Sequence, residues 1–217
     1  MILYGSSLSP FVRKVLAFAG EKGIELELQP TGSAPGQPGE EFLAASPLRK
    51  MPALRDGDFT LADSSAIVQY LEALQPEPNL IPAEPRARGR TIWFEEYGDT
   101  VVMACGGKMF FNRVVAPRFL RRPGDAAVAD AAERDELPPI MDYLESVVPE
   151  SGFLVEDRIT LADIAIASPM ANLPYMGCGI DSQRHPRLSR YVERILSRPS
   201  FAQWIEREKE ILARVAA

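Results

Sequence analysis

Residues 2–24 read ILYGSSLSPFVRKVLAFAGEKGI, and this stretch decides the fold. Ile2, Leu3 and Tyr4 make a short apolar run that reads as a strand. Gly5-Ser6-Ser7-Leu8-Ser9-Pro10 breaks it, after which Phe11, Val15, Leu16 and Phe18 recur at helical spacing. Gly23 ends the helix, and Glu25-Leu26-Glu27-Leu28 alternates as a half-buried strand does. A strand, a helix and a second strand in this order make the two strands parallel.

Working outward, Pro30 to Gly39 is rich in Pro and Gly and predicts an irregular surface loop, followed by a short helical piece over Glu40 to Ala45. Met51 to Arg55 and Asp58 to Leu61 flank Asp56-Gly57 as a hairpin, which adds antiparallel strands to give a mixed four-stranded sheet. Asp63 and Ser64 open a helix with Ile67, Tyr70, Leu71 and Leu74 on one face. Residues 75–85, QPEPNLIPAEP, hold too many prolines for either element type and read as a linker. Beyond it the pattern is helical throughout, near 86–113, 126–148, 161–177, 188–197 and 201–215, with Pro117 and Pro123 limiting the first long helix pair. Thr160 and Asp163 have capping-box spacing, with Ile159 and Ile164 at the staple positions, a signal that concerns folding. The fold class is therefore an α/β domain over 1–78 followed by an all-α domain over 86–217.

Composition narrows the chemistry. The 217 residues are 46% hydrophobic and 25% charged, with a net charge of −6, ordinary values for a folded globular chain. Neither half is basic, so the arginines between Arg113 and Arg122 read as solvated helix surface and a nucleic-acid partner is not expected. The start of the chain lacks the regions of a secretion signal, and no run approaches about 18 apolar residues, which predicts a cytoplasmic protein without a membrane span. Cys105 and Cys178 lie far apart without metal-ligand spacing and read as reduced core residues. The single histidine, His185, precedes Pro186 and reads as a turn or packing residue. Nucleophile pairs that need a histidine base, and most catalytic zinc sites, are thereby disfavoured, and no metal is expected.

Three local features bear on function. Ser9 stands at an N-cap with Pro10 at the first helical position, ordinarily no more than a good cap. The same turn leaves free N–H groups at a positive helix end, where a thiolate is stabilised and a serine hydroxyl can donate to it without any base. Met51-Pro52 opens a strand; most such bonds are trans, whereas a cis bond would turn the Met51 backbone polar groups outward towards an extended ligand. Asp63-Ser64 is a second helix start, either a plain cap or a holder for an amino-acid head group, with Lys50 nearby for another carboxylate.

With these features together, residues 3–24, SPLRKMPAL (46–54) and LADSSAIVQYLE (61–72) resemble a cytosolic glutathione S-transferase of the serine-type, bacterial-like kind, and TLADIAIA (160–167) resembles that family's capping motif. The resemblance implies a thioredoxin-like N-terminal domain, a helical C-terminal domain, glutathione as co-substrate, a detoxification role and a homodimer. It assigns Ser9 to thiol activation, Met51 before Pro52 to the backbone clamp, Asp63 and Ser64 to the γ-glutamyl group, and Lys50 to the glycine carboxylate. Asp63 stands where the family more often has Glu, and Ser6 and Ser7 remain alternatives to Ser9, with the four-residue spacing to Arg13 favouring Ser9. No cysteine occupies the first turn, which points to conjugation rather than mixed-disulfide chemistry. A small hydrophobic electrophile is expected against Leu8, Met103, Gly107 and Phe110, although a Met and aromatic stripe at helical spacing is as often core. Gly107 is taken as a mark of close approach. The alternatives are a glutathione-dependent disulfide or peroxide reductase, and a non-catalytic binding protein of the same fold.

Overall fold

Strand β1 (Ile2–Tyr4) lies at the centre of the first unit because Leu3 and Tyr4 are buried between neighbours on both edges. It pairs in parallel with β2 (Glu27–Gln29), in the register Leu3 to Leu28, as a right-handed strand-helix-strand crossover requires. The computed structural model describes residues 1–34 and 37–216. Helix α1 (Pro10–Lys22) makes that crossover and ends on Gly23, whose left-handed backbone (φ 70) satisfies the last carbonyls. The second strand begins two residues later than the alternation predicts, at Glu27.

The expected loop over 30–39 is partly paired: β3 (Gly32–Ala34) runs antiparallel to β4 (Gln37–Pro38), and the part of that expectation at 35–36 lies outside the described residues. After the short helix α2 (Glu40–Ala45), β5 (Ala53–Asp56) pairs antiparallel with both β1 and β6 (Phe59–Ala62). Asp56 is itself paired, with Phe59, so Gly57 (φ 62) and Asp58 form the two-residue hairpin loop. The sheet order is β2-β1-β5-β6, and α3 (Ser64–Leu74) follows; this is a thioredoxin-like arrangement.

The proline-rich stretch after α3 is held in place rather than free. Lys22 donates to the Pro78 carbonyl (2.7 Å) and to Glu72 (2.7 Å), while Glu72 accepts from the Asn79 side chain and the Leu80 backbone. The chain divides into two compact units, one of residues 1–80 with 199–209 and the other of 81–198 with 210–217.

The second unit is helical: α4 (Pro85–Glu96), α5 (Met103–Phe110), α6 (Ala126–Ala131), α7 (Leu137–Val147), α8 (Leu161–Met170) and α9 (Pro186–Leu196), with α10 (Pro199–Ala216) shared between the units. π-helical segments at Tyr97–Val102 and Phe111–Phe119 join α4 and α5 and carry α5 onward. Pro117 therefore lies inside the helical rod, contrary to the expectation that it ends one; the wider π turn accommodates a residue without an N–H. The segment expected over 161–177 stops at Met170 and closes with a single turn at Pro174–Met176.

Every residue of α8 is buried, making it the axis of this unit. Gly98 permits the close packing: a Cβ there would lie 2.8 Å from the Ala165 carbonyl oxygen. Thr160 and Asp163 form the expected capping box, and the buried Asp163 carboxylate also accepts from Leu154 N–H (2.8 Å) and Tyr191 hydroxyl (3.1 Å). Burial pushes the Asp163 carboxyl up to about 6 against the pull of these donors.

Candidate active site

The turn between β1 and α1 delivers Ser9 to the head of a 13-residue helix. Its backbone is extended (φ −77, ψ 123), its N–H donates to the Ser6 carbonyl at 2.9 Å, and its own carbonyl accepts from Arg13 N–H at 2.9 Å. The position is the expected N-cap, yet the hydroxyl makes no capping bond and has no partner among the described residues. A half-exposed hydroxyl beside the positive end of a helix is thus available to an incoming anion. Ser7 differs, since its oxygen is buried from solvent and has no partner among the described residues. Ser6 is half-buried.

The spacing from Ser9 to Arg13 carries a different message from the one read in the sequence. Arg13 is fully buried, and its guanidinium grips Glu208 with two bonds, Nε to Oε1 at 3.0 Å and Nη2 to Oε2 at 2.6 Å. The same unit is tied again where Ser200 donates to Glu21 at 2.5 Å. These contacts fix α1, and with it the Ser9 turn, against the 199–209 part of α10.

A cavity of about 540 Å³ opens in this unit, within the range of small-molecule sites. Lys50, Met51, Pro52, Asp63 and Ser64 all line it, together with Phe11 from α1. Ser9 is not among its lining residues. The two features adjoin, however: a side chain on Gly5 would collide with Val12 at 2.5 Å and come within 3.5 Å of Met51 Cβ, so the turn carrying Ser9 lies directly on Met51.

The Met51–Pro52 bond is cis, the rarer of the two alternatives. Lys50 is exposed, and its ammonium has no partner among the described residues. Its backbone is fixed by Ser46, a buried residue that the sequence reading passed over, which accepts from Lys50 N–H (3.0 Å) and donates to Lys50 carbonyl (2.7 Å). The sequence signal available was only a serine before a proline, at the start of SPLRKMPAL.

Asp63 caps α3, accepting from Ser65 N–H at 2.8 Å and Ala66 N–H at 3.3 Å through Oδ1. Its other oxygen has no partner among the described residues. The backbone holds φ 79 and ψ 131, a conformation that costs a non-glycine residue on the order of 1–3 kcal/mol and concentrates at binding sites. Ser64, buried at the first position of α3, lines the cavity at a positive helix end. One free carboxylate oxygen, one ammonium and the head of α3 therefore border a single concavity. That set suits a flexible zwitterion with a carboxylate at each end.

Leu8 is buried in the first unit. Met103, Gly107 and Phe110 are half-buried on α5 of the second, and their i, i+4, i+7 spacing gives them one face. Gly107 does not mark a close approach: a Cβ there would meet only Met103 Cε, at 3.9 Å, whereas Gly98 carries the tight contact. Cys105 is buried against the Ala132 carbonyl, and burial pushes its thiol up to about 11; Cys178 is half-buried, and neither forms a disulfide. His185 caps α9 and bonds Asp142 of α7 at 2.7 Å, the structural part expected of it. Among the described residues there is no cluster of three or more His, Cys, Asp or Glu suited to a metal, and no helix long and apolar enough to cross a membrane.

Comparison with known proteins draws these features together. The family model described as glutathione S-transferase, N-terminal domain, matches residues 3–79, and the one described as glutathione S-transferase, C-terminal domain, matches 118–208. A glutathione S-transferase of Hyoscyamus muticus is 32% identical over 95% of this chain and 98% of its own length. The chain belongs to the glutathione S-transferase family. Among solved structures, a glutathione S-transferase from Rhodospirillum rubrum F11 superposes with a TM-score of 0.83 at 25% identity, covering 94% of this chain and 90% of that one. Another, from Methylobacterium radiotolerans in complex with glutathione sulfonate, has a TM-score of 0.76 at 27% identity, covering 94% and 95%. In this glutathione S-transferase the N-terminal match spans Ser9 and all five cavity residues that the sequence singled out.

Proposed function

We propose that this glutathione transferase is of the serine type, with residues 1–78 binding glutathione and 86–217 supplying the electrophile site. The single observation that carries the reading is the cavity of about 540 Å³ that gathers Lys50, Met51, Pro52, Asp63 and Ser64. In this reading the γ-glutamyl ammonium meets the free oxygen of Asp63, and its carboxylate meets the Ser64 hydroxyl and the N–H groups at the head of α3. The Met51 backbone clamps the cysteinyl unit, and Lys50 meets the glycine carboxylate.

The thiol then lies towards the Ser9 turn, which abuts Met51. Ser9 donates its hydroxyl hydrogen to the sulfur, and the α1 N-terminus adds a favourable field; both stabilise the thiolate relative to the thiol. The proton leaves to water. The thiolate attacks an electrophilic carbon, forming the C–S bond as the leaving group departs with the electron pair or as the adjacent double bond accepts it. Ser9 remains a hydrogen-bond donor throughout and forms no covalent bond. Small apolar electrophiles are the proposed second substrate, with Leu8 of the first unit and the Met103, Gly107 and Phe110 face of the second as the candidate contacts, each taken within its own unit; a homodimer in the cytoplasm is the expected setting, supported by family membership.

The test is the Ser9→Ala variant, with glutathione thiolate followed by its ultraviolet absorbance on the enzyme as pH is raised. The expected result is a bound thiol pKa shifted upward by about 1 unit or more and conjugation reduced roughly tenfold or more at neutral pH. Wild-type-like titration and turnover in that variant would remove Ser9 from the role.

A further inference from the structure

A second concavity, of about 320 Å³, lies in the helical unit, where α9 passes the segment between α7 and α8. Arg187, Arg190 and Arg194 line it together with Tyr191 and Glu150. Their spacing of three and four residues stacks the three guanidinium groups along one face of α9. Like charges at these spacings disfavour a helix, so three arginines on one face carry an electrostatic cost that a bound anion would offset.

Arg187 is paired with one carboxylate, while Arg190 and Arg194 have no ion pair among the described residues. Arg187 spends only Nε, on Glu145 at 3.4 Å, leaving both terminal nitrogens without partners among the described residues. Arg194 gives Nη1 to the Ser151 carbonyl at 2.6 Å and lies over the Phe153 ring at 5.1 Å. Gly152 leaves room for it, since a Cβ there would stand 2.1 Å from Arg194 Nη1. Arg190, between them, makes no ion pair or hydrogen bond among the described residues. Three cations therefore face the concavity against one lining acid, Glu150, and one carboxylate paired with Arg187, Glu145, in a protein whose net charge is −6.

We propose that this concavity binds a phosphate group, either the free ion or an ester carried by a small molecule. A tetrahedral anion matches the remaining positive charge, and guanidinium forks present paired N–H donors to its oxygens. The volume admits a phosphate with a small substituent. The site is separate in sequence and unit from the residues assigned to glutathione and does not depend on that assignment.

Calorimetric titration of the full-length protein at low ionic strength, with inorganic phosphate and with phenyl phosphate as probes, tests this. Saturable binding of either, weakened roughly tenfold or more in Arg190→Ala and unchanged in Arg88→Ala, an exposed arginine elsewhere in the unit, is the expected result. Tighter binding of phenyl phosphate identifies an ester as the occupant, and tighter binding of inorganic phosphate identifies the free ion. Absence of saturable binding in the wild type overturns the proposal. Equal weakening by both variants does so as well, because it reports only bulk charge, as does tighter binding of tricarballylate than of either phosphate. Arg190 makes no ion pair or hydrogen bond among the described residues, and thermal melts of both variants verify that they are folded.

Discussion

Ser46 brackets Lys50: its single hydroxyl accepts from the Lys50 N–H at 3.0 Å and donates to the Lys50 carbonyl at 2.7 Å. The loop that leads into Met51 is thereby closed on itself immediately before the cavity. Ser46 itself lines the cavity, and its hydroxyl, engaged with the Lys50 backbone, acts through the residues it positions. Ser46→Ala is expected to raise KM for glutathione roughly fivefold to tenfold with kcat within about twofold, the pattern of lost ground-state binding. Unfolding free energy should fall by about 1–2 kcal/mol for two buried hydrogen bonds. A fall in kcat with KM unchanged would place the residue in the chemical step instead.

Asp63 has two tasks that a single substitution can separate. Asn retains an oxygen for the Ser65 and Ala66 N–H groups and tolerates positive φ, but removes the charge offered to an ammonium. Asp63→Asn should therefore raise KM for glutathione about tenfold with the melting temperature nearly unchanged. Asp63→Ala should show the same kinetic loss and also destabilise by about 1 kcal/mol through the missing cap. Steady-state kinetics and thermal melts on the two variants check this.

Asp163 makes stability depend on pH in a defined direction. Its carboxyl titrates at about 6 in the fold against 3.8 ordinarily, so between these values the native state holds a proton that the unfolded chain has released. The contribution of this group is fully present below about pH 4 and is lost as pH rises through 6, with a slope of up to about 1.4 kcal/mol per unit. Chemical denaturation of wild type and Asp163→Asn across pH 4–7 should show the wild type gaining on the variant as pH falls. The opposite trend would mean that the donors around Asp163 hold it charged against burial.

Two glycines in the helical unit should respond with opposite signs. Gly98→Ala places a methyl 2.8 Å from the Ala165 carbonyl oxygen and should cost about 1–3 kcal/mol. Gly107→Ala finds nothing closer than 3.9 Å and should stabilise by about 0.5–1 kcal/mol through helix propensity. Denaturant melts decide this. If Gly107 faces the electrophile, the same variant should also change the ranking of electrophiles by size.

The strand-turn-helix opening, the antiparallel hairpin and the cavity residues were legible because each rests on neighbours in sequence: an apolar run beside a Ser-Pro cap, Asp56-Gly57, Met51-Pro52, Asp63-Ser64. What the residues alone did not disclose depends on partners far along the chain or on geometry without a residue code. The carboxylate facing Arg13 is 195 positions away, so the packing role of Arg13 leaves no local signal. Pro117 reads as a helix end unless the wider turn of Phe111–Phe119 is known. A glycine within a helical pattern signals close approach without saying which one, and Gly98 rather than Gly107 proved to face a backbone. Ser46 binds backbone atoms only four residues away, but no side-chain pattern in SPLRKMPAL records it.

The Arg13–Glu208 pair also sets an order of events during synthesis. Domains ordinarily fold as units while the chain emerges, the N-terminal one first. Here the first unit includes residues 199–209, so its buried guanidinium waits for its carboxylate until residue 208 has left the ribosome. The unit whose strands emerge first stays incomplete until α10 follows, and a nascent chain stalled before residue 199 would expose an unfinished first unit to chaperones and proteases.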